Sequence, residues 1–172
     1  MRTNNIKGFT LVEIMIVVAI VGLLVALAIP SLMRARLSAN ETMAQASVRA
    51  IITALENYRA DQNPPSYPTA LVTLKLGNPA YLDPFPAGGR KHGYQYDYYA
   101  SAPYVYTVAG VERTIYPGYS ISAMPLSVGF TGNANFFTNA SGVIYSDDTA
   151  PYADPPAAYS LAVPAGYIPT SG

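Results

Sequence analysis

Cysteine, tryptophan and charge are the scarce components of this 172-residue chain, which has no Cys, no Trp and only 12% charged residues. Without cysteine the fold has no disulfide, even in an oxidising compartment, and a cysteine-ligated metal cluster is excluded. The ten basic and ten acidic residues cancel. No net field therefore attracts nucleic acid, and no nucleic-acid partner is expected.

Catalytic groups are scarce as well. The single histidine, His92, lies in the segment GGRKHG, which lacks the spacing of a phosphate-binding loop. We interpret this segment as a turn and His92 as an exposed loop residue. The sequence therefore predicts that the protein is not an enzyme.

What the chain has instead is a long apolar run directly after a short polar leader. The leader MRTNNIKG precedes FTLVEIMIVVAIVGLLVALAIPSLM. The basic, small-residue junction Lys7-Gly8 comes before the apolar run, whereas an ordinary secretory signal is cut after it. A cut at this junction would leave the run on the mature chain. As a helix, residues 9–33 would reach ~37 Å and cross a ~30 Å hydrocarbon layer, which predicts a membrane anchor.

One carboxylate, Glu13, lies near the start of this run. Acidic groups in membrane helices are costly and usually have a partner and a function, although the positive end of the helix dipole gives some relief. A cut after Gly8 would create an α-amine on Phe9. Since one helical turn separates Phe9 from Glu13, we expect the better-aimed amine to belong to a neighbouring chain. Such pairing would set the stagger between identical subunits.

A family resemblance is carried by Gly8-Phe9-Thr10-Leu11-Val12-Glu13, the apolar run and Pro30. These residues resemble the class III signal of type IV pilins and type II secretion pseudopilins. The resemblance implies that a prepilin peptidase cuts after Gly8 and N-methylates Phe9, and that Glu13 sets the register between subunits. It also implies a bacterial inner-membrane precursor with a cytoplasmic N-terminus. A membrane platform and its ATPase would assemble this precursor into a periplasmic or extracellular homopolymer.

The helix is predicted to continue past Pro30 with a different character. Residues 34–60 are rich in helix formers and contain no Gly or Pro. An apolar stripe at spacings of four and three residues consists of Ala44, Val48, Ile51, Leu55 and Tyr58. The first half of the helix needs lipid or other apolar helices, whereas the stripe needs a sheet.

Gly22 and Pro30 are the predicted weak points of this helix, because glycine is a poor helix former and proline removes a backbone hydrogen bond. A kink is one interpretation. The resemblance implies another, in which residues 22–30 unwind within a filament.

The remaining chain is predicted to form a β-rich domain and a tail. The predicted strands are residues 94–99, 104–108, 119–124, 136–138 and 143–145. The first two and the last two should form hairpins. Residues 67–85 are expected to form a turn-rich connector with one helical turn. An antiparallel sheet of four or five strands covering the helical stripe gives an α+β, pilin-like fold.

The C-terminal residues 149–172 are rich in Pro and Ala and are predicted to form an irregular tail. Asp147, Asp148 and Asp154 are candidate calcium ligands, because the resemblance implies such a site in a C-terminal loop. The alternative is a solvated acidic turn, and no other cofactor is expected. The fifteen tyrosines fit half-buried strand positions with hydroxyls in water, or else a stacked aromatic surface for adhesion or charge transport.

The predicted organisation is a leader (1–8), a membrane or filament-core helix (9–33), an amphipathic helix (34–60), a β-rich domain (61–148) and the tail (149–172). The predicted function is a structural subunit that polymerises through its N-terminal helix into a type IV pilus-like filament. One alternative is the major-type pseudopilin of a type II secretion system. A further alternative is a membrane-anchored monomeric binding module, which would have no need of Glu13.

Overall fold

One helix, α1 (Leu11–Asp61), contains both the apolar run and the amphipathic segment. The computed structural model describes residues 9–77, 79–82, 89–148 and 159–170, so the predicted leader lies outside the described residues. The chain comprises two units, residues 1–36 and 37–172. In the first unit every described residue, 9–36, is exposed. Most of these side chains are apolar, so this part of α1 presents an apolar surface that no described residue covers.

In the second unit, α1 buries the predicted apolar stripe against a sheet. Ala44, Val48, Ile51 and Leu55 are each at most 1% exposed, and Tyr58 packs against the same core. The stripe prediction is therefore confirmed. The helix ends at Asp61, shortly before Pro64 and Pro65, whose rings cannot continue the hydrogen-bond ladder.

The sheet has six strands in the order β1-β2-β5-β6-β7-β8, and every pairing is antiparallel. Their bounds are β1 (Arg90–Lys91), β2 (Tyr94–Ala100), β5 (Tyr119–Pro125), β6 (Asn135–Asn139), β7 (Ile144–Asp147) and β8 (Ile168–Pro169). Alternate residues, including Tyr94, Tyr96, Ile121 and Phe136, join the α1 stripe in one core. The α+β class is confirmed, with six strands rather than four or five because the two-residue β1 and β8 extend its edges.

The remaining two strands, β3 (Tyr104–Val108) and β4 (Val111–Ile115), form a separate two-stranded sheet. The predicted hairpin between residues 94–99 and 104–108 is therefore wrong, because β2 pairs with β5 and β3 pairs with β4. The two-residue turn Ala109-Gly110, with φ values of 52° and 78°, has the left-handed geometry that a tight hairpin requires. The base of this hairpin is closed where the Ser101 N–H donates to the Gly118 carbonyl at 2.9 Å.

Two smaller predictions are confirmed in the connecting segments. The glycine-rich segment forms a tight turn between β1 and β2, with His92 and Gly93 at φ values of 51° and 79°, and His92 is exposed. The single helical turn of the connector is α2 (Thr73–Leu76).

The end of the chain forms a strap, defined here as residues 159–170, on the face of the sheet opposite α1. Asn139 Nδ2 donates to the Leu161 carbonyl at 2.8 Å, and the Tyr167 ring meets Phe137 edge-on at 6.2 Å between centroids. Most of the strap is irregular, in line with the prediction of an irregular tail, and only the two-residue β8 adds regular structure by pairing with β7. Residues 149–158 lie outside the described part of the chain.

Candidate functional site

The N-terminus of α1 carries a reciprocal pair of hydrogen-bonded residues, Thr10 and Glu13. The backbone N–H and the hydroxyl of Thr10 each donate to Glu13 Oε2 at 2.9 Å. In return, the Glu13 N–H donates to the Thr10 hydroxyl oxygen at 3.2 Å. Because Thr10 directly precedes the first helical residue, Leu11, this is a capping box, in which two otherwise unpaired N–H groups are satisfied.

Thr10 is the functional residue that the sequence interpretation missed. It treated Glu13 as a carboxylate in need of an external partner. The pattern Thr-x-x-Glu before an apolar run is itself the signature of a capping box and could have revealed the pair. Glu13 therefore has a partner within its own chain.

The capping box leaves half of the Glu13 carboxylate available. Both Thr10 bonds end on Oε2, and no residue of the described ranges donates a hydrogen bond to Oε1. A carboxylate accepts several hydrogen bonds through its two oxygens. Oε1 can thus accept a donor from another molecule while Oε2 keeps the helix capped. The registry role of Glu13 stays a prediction that this geometry permits.

The helix around the pair has the surface of a membrane or filament-core segment. Its length and composition would let it cross a membrane, and its most apolar 18-residue window has a mean hydropathy of 3.0 with none of that window buried. Phe9 is 80% exposed and lies immediately before the capped helix. The cleavage partner Gly8 lies outside the described residues, so cleavage and methylation stay predictions.

Gly22 and Pro30 both lie inside continuous α-helix. A Cβ atom added at Gly22 would meet nothing within 4 Å, so glycine is not required there by packing within this chain. The unwinding of residues 22–30 was predicted for a filament, and it stays a prediction for that state.

Of the three candidate calcium ligands, Asp147 and Asp148 belong to the described residues and differ in their surroundings. Asp147 is 3% exposed and lies near Gly166, where an added Cβ would be 3.3 Å from Oδ2. Asp148 is exposed and lines a different cleft, together with Glu41. Asp154 lies outside the described residues. Within the described ranges no group of three or more His, Cys, Asp or Glu residues is placed to hold a metal ion, and the calcium site stays a prediction.

The tyrosines form part of the core, and several hydroxyls are satisfied by protein groups rather than by water. Tyr98 donates to the Pro68 carbonyl at 2.6 Å and Tyr94 to the Ala134 carbonyl at 3.0 Å. Tyr67 donates to Glu56 Oε1 at 2.6 Å. Burial raises the pKa of Tyr98 and of Tyr119. These residues are structural, which corrects the expectation of half-buried rings with hydroxyls in water.

Comparisons with known proteins support the interpretation of the N-terminal helix. A family model described as the prokaryotic N-terminal methylation motif matches residues 3–29. Type II secretion system core protein G of Pseudomonas aeruginosa is 36% identical over 110 residues, which cover 56% of this chain and 76% of that protein.

Two further relatives are a pilus component and a second core protein G. The type IV wide pilus major component PilA4 of Thermus thermophilus is 42% identical over 74 residues, covering 42% of this chain and 56% of that protein. Core protein G of Escherichia coli is 37% identical over 93 residues, covering 54% and 63%. No solved structure matches the chain significantly.

Proposed function

Because the chain belongs to the family that includes type II secretion core protein G and the type IV pilins, we propose that it is a structural subunit that polymerises through residues 9–33 into a filament. The observation that carries this proposal is the capped but otherwise uncovered apolar helix. Its described residues are all exposed, and its one carboxylate is held by Thr10. The relatives' names describe a pilus component and a secretion-system core protein, and neither name describes an enzyme.

The apolar side chains of residues 9–33 can be covered either in a membrane or in a polymer. In a bilayer, lipid covers the side chains of residues 9–33. In a filament, the same side chains would be covered by the helices of neighbouring copies, so that a subunit leaves the membrane without exposing them to water. We propose that the precursor lies in the inner membrane with its N-terminus in the cytoplasm, and that a platform with its ATPase moves it into the filament.

Processing would prepare the helix for this transfer. In the proposed scheme a prepilin peptidase cuts after Gly8 and methylates Phe9. The new α-amine of Phe9 is a cation at the depth of Glu13. In an apolar surrounding an amine and a carboxylate attract more strongly than in water. The amine of one copy would therefore donate to Glu13 Oε1 of another copy, while Oε2 remains bound to Thr10.

The test compares Glu13→Leu with Gly8→Glu. Gly8→Glu should leave unprocessed precursor in the membrane. Glu13→Leu should be inserted and processed normally but should give at least tenfold fewer filaments per processed chain. Mass spectrometry should find a mature N-terminus at Phe9 carrying one extra methyl group. A mature N-terminus beyond residue 30, or wild-type filament yield from Glu13→Leu, would contradict the proposal.

The alternative kind of filament, a pseudopilus of a type II secretion system, is favoured by the 76% coverage of the Pseudomonas aeruginosa core protein G. The higher identity to PilA4, 42% over 74 residues, favours a pilus. Deletion of the gene distinguishes the two. Loss of surface filaments with normal export of secreted enzymes indicates a pilus, whereas loss of enzyme export indicates a pseudopilus. An undisturbed phenotype in both assays would favour an anchored monomeric module.

A further inference from the structure

The β3–β4 hairpin presents an uncovered apolar face. The register of the two strands places alternate residues on this hairpin face, namely Tyr104, Tyr106, Val108, Val111, Arg113 and Ile115. Tyr104, Val108 and Val111 are each more than half exposed. The opposite face carries Val105, Thr107, Glu112 and Thr114 and is mainly polar. An amphipathic ribbon of this kind requires a partner on its apolar side.

A single cation lies within the hairpin face. Arg113 is directly opposite Tyr106 in the register, and its side chain is exposed. No acidic residue of the described ranges forms an ion pair with Arg113. A guanidinium surrounded by apolar side chains fits a partner surface that supplies a carboxylate.

The hairpin is held firmly at its base. The Tyr67 N–H donates to the Tyr116 carbonyl at 3.0 Å, and the Tyr116 N–H donates to the Ser66 hydroxyl at 3.0 Å. Arg113 shares a cleft with Tyr58 and Gln62, at the C-terminal end of α1. The hairpin face is therefore presented at this end of the second unit.

A surface that complements the charge of the hairpin face lies in the same unit, beside residues 38–45 of α1. This acidic cleft, of about 400 Å³, is lined by Glu41 and Asp148 around the apolar side chains of Phe136 and Ile168. The Asn133 N–H donates to Glu41 Oε1 at 2.7 Å and fixes that side chain, while Asp148 is exposed. Among the described residues no Lys or Arg lines the cleft.

The two surfaces belong to different ends of the unit and cannot meet within one copy. The cleft is lined by Ser38 and Gln45 of α1 and the hairpin base by Tyr58 and Gln62. The midpoints of residues 38–45 and 58–62 are ~28 Å apart at ~1.5 Å per residue along α1, which ends at Asp61. A contact between two different patches of identical subunits is heterologous. Such contacts form rings when their rotation closes and open helical filaments when it does not, so they are compatible with a filament.

We propose that the hairpin face of one copy docks in the acidic cleft of the next copy along the filament, with Arg113 paired to Asp148. This inference rests on the proposed function, because it requires a filament that holds copies in line. The apolar residues around Arg113 cover Ile168 of the next copy, which is 63% exposed. The contact adds a second connection between subunits, outside the helical core.

A charge exchange between two variants tests the contact. Arg113→Glu alone and Asp148→Lys alone should each lower filament yield at least tenfold, because each variant opposes like charges at every contact. Expressed together they should recover to within twofold of wild type. In an alternating polymer of the two, one contact is the native pair and the next is the exchanged pair. Arg113→Lys is the conservative control and should assemble normally.

Cysteine cross-linking provides a second test that does not depend on altered charges. Since the natural chain has no cysteine, Val111→Cys and Ser146→Cys can be combined in one chain and oxidised with Cu(II) in intact filaments. The two thiols lose their protons and electrons to the oxidant and form a disulfide between copies. A ladder of dimers, trimers and larger species is expected, with neither single variant cross-linking.

Three outcomes would overturn the docking contact: wild-type yield from both charge variants alone, no recovery on mixing, or dimers from Val111→Cys alone. The last result would mean that hairpins meet hairpins. Failure of the wild-type chain to form any filament is a different result, because it would overturn the proposed function itself.

Discussion

At the scale of single residues, Thr10 makes Glu13 a different group from an isolated carboxylate in a membrane. The capping box binds Oε2 within the chain and leaves Oε1 able to accept a further donor. The proposal therefore gives one side chain two roles. Oε2 caps the start of the helix, and Oε1 would accept the amine of a neighbouring copy in the filament.

Replacement of Thr10 should therefore impair assembly even though Glu13 is intact. Thr10→Val removes the hydroxyl that donates to Oε2 and accepts from the Glu13 N–H. We expect a several-fold fall in filament yield, measured per processed chain in the membrane. Thr10→Ser keeps the hydroxyl and should assemble close to wild type. Equal yields from the Val and Ser variants would show that the cap does not contribute.

The hydrogen bond between the buried Tyr67 and the partly exposed Glu56 predicts a dependence of stability on alkaline pH. Tyr67 is 3% exposed, and burial, together with the hydrogen bond to the Glu56 carboxylate, raises the pKa of Tyr67 to about 12. Its unfolded pKa is about 10. The stabilisation is fully present below pH 10. It is lost as pH rises towards 12, because the unfolded chain releases the phenolic proton first.

The contribution of the Tyr67 hydroxyl to stability can be measured by replacing Tyr67 with Phe in the fragment of residues 34–172. At pH 8 the variant loses the hydrogen bond and should be less stable by about 1 kcal/mol. Between pH 10 and 12 the difference from wild type should shrink, because only the wild type can ionise at this position. Urea midpoints measured across this range provide the check, and a constant difference would contradict the assignment.

At the scale of elements, the stability of the second unit depends on the α1 stripe. Leu55→Ala at a fully buried position should lower the free energy of unfolding by roughly 2–5 kcal/mol, since it removes transfer energy and leaves a cavity. Leu76→Ala, at a position 79% exposed in α2, is the matched control and should change it by less than about 0.5 kcal/mol. Chemical denaturation of the fragment measures both.

The elements also show where sequence reasoning succeeds and where it stops. The stripe from Ala44 to Tyr58 and the alternating tyrosines of β2 were predictable, because each follows the period of its own backbone. The partner of β2 was not, since a period of two identifies a strand but not the strand beside it. Ala109-Gly110 lacks the usual Asn-Gly or Asp-Gly signal of a tight turn, so β4 went unrecognised.

The candidate site and the proposed docking surfaces also contain residues that the sequence identifies and residues that it does not. Glu13 stands out as a charge in an apolar run, and the capping spacing to Thr10 is local enough to be read from the sequence. Arg113 and Asp148 carry no local signal. Their relation depends on a sheet register and a cleft that form only when strands distant in sequence are brought together.

At the scale of the whole molecule, the division into residues 1–36 and 37–172 predicts that the apolar helix and the folded unit are separable. A fragment of residues 34–172 should be a soluble monomer at micromolar concentration, with both helix and strand in its circular dichroism spectrum. In this fragment the α1 stripe is still covered by the sheet, and the exposed apolar residues 9–33 are absent. Sedimentation measures its size, and spontaneous filaments from this fragment would show that residues 9–33 are not needed for assembly.

The order of the strap in the chain has a consequence for biosynthesis. The sheet face that touches Leu161 and Tyr167 is covered by residues that the ribosome adds after β1 to β7. A growing chain can therefore form α1 before the strap exists, and β8 can pair with β7 only after Ile168 and Pro169 have been synthesised. A product that lacks residues 159–170 would leave Phe137 and Asn139 without the contacts that the strap provides.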